Sequence, residues 1–363
     1  MYKFEGVISE CFEPYLMSYS DQEQHKIVTA LEQIMVSGED QLETLDFVVY
    51  GSSLHLFKNI RLSMNRCTSF SKGKSLFNLQ IAFKNVFQRY TQLLKKKLPA
   101  KTFEESANAT VLTDNDEMKC VYLINTCEYC LDTIPQLHQT IEDIISEEFV
   151  DNVDLKDNAE DMFREVINSS VMALVKSIEG RNEKIYSDQL LKTNWLQFEQ
   201  VSDTSAYIKT VSQTIQGRTL AIKTAINPTY ANFFTNKMVG AMSEQFLKSI
   251  YRIKRVNETS SHQFQLDLEE LKNTLLGLPC LQKNGQIVGK PSDTYINFVN
   301  KSITRVERRI KVLSYPLEVL RETYESLVEE DQRTEKELEL ILTMRGVLKK
   351  DFVKYMKDFI SDL

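Results

Sequence analysis

Between Lys74 and Lys97 the apolar residues fall at Leu76, Leu79, Phe83, Val86, Tyr90 and Leu93. Steps of three and four alternate, which places them on one stripe of an α-helix. The stripe closes on Lys95, Lys96 and Lys97, whose charges suit the negative end of a helix dipole, and Pro99 forbids continuation. The same rhythm recurs along the chain. Phe163, Val166, Ile167, Ser170, Leu174 and Ile178 form a face expected to end at Gly180. Tyr295, Val299, Ser302, Val306, Ile310 and Leu313 form another after Pro291 and Ser292, and Leu317, Leu320, Tyr324 and Leu327 form a third that Pro316 is expected to open. About a dozen helices and no strand are predicted. Pro135 lies within a helical run and predicts a kink, and Leu281–Lys290, with Asn284-Gly285, reads as a turn or short loop.

Three breaks interrupt this pattern. Residues 98–116 are polar, Asn227-Pro228 biases its neighbourhood away from helix, and the loop 277–291 holds three glycines and two prolines. They predict helical bundles over residues 1–110, 111–226 and 227–363. The fold class is therefore all-α. Bundles in series cannot share one core, so the expected form is an elongated rod.

Composition sharpens this picture. Of 363 residues, only 11 are Gly and 7 are Pro, where average usage would give about 25 and about 18. Few turns imply long elements. Hydrophobic residues make up 42% and charged residues 26%, the balance of a globular chain with a sizeable core. The formal charge of −7 argues against nucleic acid as a partner, because displacing counterions needs a basic footprint. The longest uncharged run, Thr224 to Asn236, contains Pro228 and falls short of the roughly twenty apolar residues a bilayer span requires. The opening residues MYKFEGVISE have no apolar core of a secretory signal. Six cysteines without such a signal read as reduced thiols in a cytosolic protein, and the sequons at Asn108, Asn168, Asn257 and Asn300 then read as chance.

Few constellations carry chemistry. Cys127 and Cys130 form a C-x-x-C with Cys120 on the same helical face. A zinc site needs four ligands and no second pair has fitting spacing, so core packing is the better reading. Lys72-Gly73-Lys74-Ser75 imitates the end of a phosphate-binding loop, but the first glycine of that motif is replaced by Thr68 and helix precedes it. His25, His55, His138 and His262 stand far apart, and no nucleophile motif is present. Neither an active site nor a cofactor is predicted. What remains is a basic stripe: Lys301, Arg305 and Arg308, spaced four and three opposite Val299, Val306 and Ile310, widened by Arg309 and Lys311. Arg345-Gly346 is expected to end a helix nearby. These residues are the candidate dock for an acidic partner or lipid headgroups. The competing reading is neutralisation by the following acidic helix, around Glu325, Glu329, Glu330, Glu335 and Glu339.

Several short motifs, in order, carry a resemblance. They are Cys11-Phe-Glu-Pro-Tyr-Leu16, Glu128-Tyr-Cys-Leu131, the stretch from Asn194-Trp195 to Tyr207, Leu275-Leu-Gly-Leu-Pro279, Ser314-Tyr-Pro-Leu317 and Leu342-Thr-Met-Arg-Gly-Val-Leu348. Over residues 9–350 the chain resembles the C-terminal half of the vacuolar protein sorting-associated protein 53 family. The resemblance implies a subunit of the Golgi-associated retrograde protein (GARP) complex and of a related endosomal recycling complex. That role is tethering of endosome-derived vesicles at the trans-Golgi network. It implies serial helical bundles like those of exocyst subunits, and no enzymatic activity. Other complex subunits, SNARE proteins, small Rab-type GTPases and the membrane surface are the partners it suggests. The location it suggests is cytoplasmic, on the periphery of trans-Golgi and endosomal membranes. The alternatives are a subunit of another tether, a helical adaptor of an unrelated pathway, or a helical enzyme.

Overall fold

The structure, a computed structural model, describes residues 16–36, 40–43, 48–99, 111–201, 203–282, 284–352 and 355. Residues 11–15 of the first motif and the core of the polar stretch, 100–110, lie outside them. Twelve α-helices account for most of the described chain. They are α1 (Leu16–Val36), α2 (Gly51–Thr68), α3 (Lys74–Lys96), α4 (Asp114–Ile144), the single turn α5 (Glu147–Val150) and α6 (Asp157–Ile185), then α7 (Ala206–Lys223), α8 (Pro228–Tyr251), α9 (Glu258–Gly277), α10 (Asp293–Val312), α11 (Leu320–Leu327) and α12 (Glu335–Met344). The all-α expectation holds, with one addition. A two-stranded antiparallel ribbon pairs β1 (Gln41–Glu43) with β2 (Val48–Tyr50), Leu42 opposite Val49. Three-residue strands are too short for a period-two pattern to register.

The described chain divides into two compact units. The first comprises the described residues within 1–105, 112–174 and 225–227, the second those within 106–111, 175–224 and 228–363. The first unit packs α1 to α4 and the start of α6 around Leu31, Leu56, Ile60, Phe83, Phe87, Tyr90 and Phe163. The rings of Phe57 and Phe87 lie 6.0 Å apart, and those of Phe87 and Phe163 6.2 Å apart. The ribbon is fastened to α4 through its backbone: Tyr50 N donates to Thr126 Oγ1 at 2.8 Å and Asn125 Nδ2 donates to Val48 O at 3.1 Å. Asn125 also donates to Ala225 O at 2.9 Å and accepts from Asn227 N at 3.1 Å, so one buried amide satisfies two carbonyls and an N–H that have no ladder partner.

The second unit gathers α7 to α12. Phe234, Met238, Phe246, Phe264, Leu271, Val299 and Ile310 are fully enclosed. Helix entries follow local chemistry. Asn257 caps α9 reciprocally with Ser260, Ser292 Oγ accepts from Tyr295 N, and Thr334 caps α12. The sequon asparagine Asn257 is thereby consumed as a cap, its amide also donating to the carbonyls of Leu196 and Phe198.

Local expectations shift in four places. The buried stripe of α3 ends on Leu94 rather than Leu93, and that of α10 runs through Ile303 rather than Ser302. Helix α6 does not stop at Gly180. It continues to Ile185 and through a π-turn at Tyr186–Leu190, because Asn182, Tyr186 and Leu190 beyond the glycine are buried and hold it there. Pro316 does not open α11, which starts at Leu320 after a turn closed by Val319 N donating to Pro316 O. Pro135 is carried inside α4, whose helix runs on to Ile144. Pro228 stands at the first position of α8, where its missing N–H costs nothing.

Candidate partner-docking surface

Helix α10 is amphipathic because Tyr295, Val299, Ile303, Val306 and Ile310 take its inner stripe. Tyr295 Oη donates to Leu275 O at 2.8 Å and Ile310 O accepts from Ser261 Oγ at 2.9 Å, so α9 grips both ends of that stripe. The opposite side carries Thr294, Phe298, Lys301, Arg305 and Arg308 in steps of four, three, four and three.

The predicted cations divide into two groups. At the C-terminal end of α10 they are committed within the chain. Arg308 pairs with Glu329 at 3.4 Å, and Lys311 with Glu307 at 2.7 Å. Arg309 Nε donates to Glu337 Oε1 at 2.9 Å. Glu337 is a hub: it also accepts from Tyr251 Oη and from Tyr324 Oη, each at 2.7 Å, so α8, α10, α11 and α12 meet at one carboxylate. Arg345 is committed too. Its guanidinium donates to Leu313 O at 2.7 Å, tying the end of α12 to the end of α10, and burial depresses its pKa while Glu258 opposes that. Gly346 follows at φ +96, where its N–H reaches Thr343 O and Val347 N reaches Leu342 O, closing α12 in the left-handed turn that favours glycine. Glu325 does not neutralise the stripe; it pairs with Arg321 in its own helix at 2.8 Å.

Lys301 and Arg305 stand apart. Both side chains are exposed, and among the described residues neither has an ion-pair or hydrogen-bond partner. The structure thus brings Arg308, Arg309 and Arg345 into the frame that holds α10 and leaves Lys301 and Arg305 bare one and two turns before it.

A cleft of about 570 Å³ opens beside the N-terminal half of α10. Asn232 and Asn236 of α8 form one wall, Pro279 and Cys280 the floor, and Pro291, Tyr295 and Phe298 the other wall. The floor is rigid. Lys223 Nζ donates to the carbonyls of Leu278 at 3.1 Å, Pro279, and Leu281 at 3.4 Å, gathering the chain end of α9, and burial depresses its pKa. The loop after it forms a small hairpin, with Leu281 bridged to Ile287 and Val288 N donating to Cys280 O at 3.0 Å. Ile287 closes over Gly277, whose missing Cβ would stand 2.5 Å from its terminal methyl. Sequence periodicity could not have found this cleft, because its walls come from three segments joined only in the fold.

The other sequence candidates fall into packing. Cys120, Cys127 and Cys130 are buried free thiols on α4; burial pushes Cys120 up to about 12 and raises the other two as well. Such thiols stay protonated and are poor nucleophiles. No group of three or more His, Cys, Asp or Glu able to hold a metal occurs among the described residues. Gly73 is the N-cap of α3 after helix α2, with Ser75 buried, so no phosphate cradle forms there. His138 is buried on α4 with Nε2 3.1 Å from Glu142. Among the described residues no helix is long and apolar enough to cross a membrane.

Comparison with known proteins places this geometry. The family profile described as "Vacuolar protein sorting-associated protein 53 C-terminus" matches residues 262–347, a span that includes α10 and α12. Vacuolar protein sorting-associated protein 53 A of Arabidopsis thaliana is 30% identical over 365 residues, covering 99% of this chain and 43% of that protein. The homolog of the same protein in Caenorhabditis elegans is 25% identical over 251 residues, covering 68% of this chain and 30% of its own length. The chain thus spans less than half the length of these relatives. Among solved structures, the C-terminal domain of the exocyst subunit Sec6p superposes with a TM-score of 0.71 at 12% identity, over 100% of this chain and 95% of that one, which establishes the shared fold. The ordered motifs, the profile match and the near-complete alignment agree: the chain belongs to the vacuolar protein sorting-associated protein 53 family.

Proposed function

We propose that the chain is a non-catalytic part of a vesicle-tethering complex that acts in transport from endosomes to the trans-Golgi network. It serves there as a helical scaffold and presents α10 to partners. Family membership supports the sorting role, and the fold shared with an exocyst subunit supports tethering. In this reading its standing partners are the other subunits of the Golgi-associated retrograde protein complex. SNARE proteins, Rab-type GTPases or the membrane surface are its transient ones, met on the cytoplasmic face of trans-Golgi and endosomal membranes.

The observation that carries a docking role, over that of a passive spacer, is the pair Lys301 and Arg305. They are exposed and, among the described residues, unpaired, on a helix whose remaining cations are all engaged. Charges fixed on a rigid helix act together on an approaching partner and raise the rate of encounter more than they tighten the complex. The test is replacement of the endogenous protein by the Lys301→Glu/Arg305→Glu variant. Normal folding and normal co-purification of the complex, with retrograde cargo missorted, is the expected result. A variant that folds, assembles and sorts as wild type would leave the spacer reading in its place.

A further inference from the structure

The cleft and the bare cations lie on one line. Phe298, Lys301 and Arg305 are spaced three and four on α10, and Phe298 forms the wall of the cleft. Phe298 is 41% exposed, and Val288, whose N–H donates to Cys280 O, is 57% exposed. Phe298 lines the concavity itself, where exposed aromatic surface can receive a partner's apolar side chain. At about 570 Å³ the cleft has room for one or two large apolar side chains. From Phe298 to Arg305 is two helical turns, about 10 Å along the axis.

We propose, resting on the docking role above, that this surface binds an acidic amphipathic helix of a partner protein. An apolar side chain of that helix enters the cleft between Asn236, Pro279 and Phe298, and its carboxylates meet Lys301 and Arg305. The occupant follows from charge and shape. Two cations one turn apart match carboxylates at the i and i+4 positions of a facing helix, and the cleft one turn before them matches an apolar residue in the same register. The amide side chains of Asn232 and Asn236 give the rim hydrogen-bonding groups suited to a peptide. A membrane surface fits less well. Recognition of anionic headgroups usually draws on four to eight clustered cations, and here Arg308, Arg309 and Lys311 are already paired.

The site is testable with defined probes. Fluorescein-labelled, helix-stapled peptides carrying Leu at i and i+4 and Glu on the flanking turns, in several registers, are titrated against the chain by anisotropy. Saturable binding is expected for at least one register. Phe298→Ser should weaken it about tenfold with the salt dependence kept, and Lys301→Glu/Arg305→Glu should weaken it about tenfold with the salt dependence lost. The charge-swapped peptide, with Lys for Glu, should bind the double variant and not the wild type. Circular dichroism and melting curves confirm that both variants fold. No binding in any register, or binding that ignores both variants, overturns the proposal. So does binding of phosphatidylserine vesicles that is lost in the double variant but unchanged by Phe298→Ser, which would assign the cations to a lipid surface. Failure here leaves the tethering role standing, since that role is read from complex assembly and cargo sorting.

Discussion

Two regions of the second unit differ in a way that runs against the usual division of labour between loops and helices. The described residues of 191–201 and 203–205 are irregular, with one short 3-10 turn at Trp195–Gln197. Yet several of its groups are engaged by the core and by α9. Trp195 Nε1 donates to Leu190 O at 2.8 Å, and the indole packs on Phe264 with centroids 4.7 Å apart and on Phe198 at 5.3 Å. Gln263 donates to Asp203 O, and Asp267 accepts from Ser205 N at 2.8 Å and Tyr207 Oη at 2.6 Å. Helix α10 is regular, and half its length carries unspent chemistry. The lesson is that irregular backbone marks a binding site only when its polar groups are left over. Here α9 supplies Asn257, Gln263 and Asp267 as a row of partners, one per turn or two, that fastens the loop beside the core.

Asp267 shows what that fastening costs. Burial pushes its carboxyl above the usual carboxylate range, against the donors from Ser205, Tyr207 and Gln263 that pull it down. A raised folded pKa means that protonation favours the folded state, so this group's contribution is greatest at acid pH and is lost as pH rises through the folded value. The carboxylate therefore serves to satisfy the backbone and hydroxyl groups of the loop, rather than to add net stability at neutral pH.

The largest effect should come from the plug of the irregular segment. Trp195 is 3% exposed, and Trp195→Ala should lower unfolding free energy by about 3–5 kcal/mol, the range for deleting a fully buried large aromatic. It is the chain's only tryptophan, so thermal melting has to be followed by circular dichroism in the variant. A melting curve like that of wild type would mean the loop is held by its polar partners alone, and the contrast with α10 would weaken.

Next comes the anchored end of α10. Glu337→Ala removes the acceptor of Arg309, Tyr251 and Tyr324 together. Breaking a buried pair costs about 3–5 kcal/mol, and the small residual exposure of Arg309 and Glu337, 14% and 13% of their side chains, brings the expectation to about 2–4 kcal/mol. Arg309→Met combined with Glu337→Leu should recover only part of the loss, because it removes the stranded charge but leaves Tyr251 Oη without its acceptor. A single variant as stable as wild type by urea titration would show that the hub does not fix α10.

How much of this was legible beforehand divides along physical lines. The stripes of α3, α6, α10 and α11 are legible at helical spacing, and Pro291-Ser292 announces the entry of α10, whereas Asn227-Pro228 reads only as a break although Pro228 opens α8. Trp195 is legible as a plug because three aromatics, Trp195, Phe198 and Tyr207, crowd the short stretch that leads into α7. The ribbon of β1 and β2 was not, since three residues per strand give no period. Nor was the split of the basic stripe. Arg305 and Arg309 are the same residue type four positions apart, and only the placement of α12 decides that Arg309 meets Glu337 while Arg305 meets solvent. Arg345 misled for the same reason: a cation next to a helix-ending glycine reads as exposed, but Leu313 O lies within its reach.

The smallest effect draws the line along α10 itself. Arg305→Glu removes no partner among the described residues, so its stability should stay within about 0.5 kcal/mol of wild type, the range for unremarkable surface changes. Arg308→Glu sets a carboxylate where the guanidinium faced Glu329 at 3.4 Å. Both side chains of that pair are more than two-fifths exposed, so solvent screening limits the loss to about 0.5–1 kcal/mol. Salt separates the two. Raising ionic strength to about 1 M shortens the screening length to about 3 Å, which should restore most of the Arg308→Glu deficit and leave Arg305→Glu unchanged. Paired thermal melts at low and high salt read the difference directly. If Arg305→Glu destabilises as much as Arg308→Glu, with the same salt response, Arg305 has a partner in the folded chain and the bare half of α10 shrinks to Lys301 and Phe298. If neither variant responds to salt, the Arg308–Glu329 pair is not populated in solution, and the bare cationic face extends a turn further, to three residues.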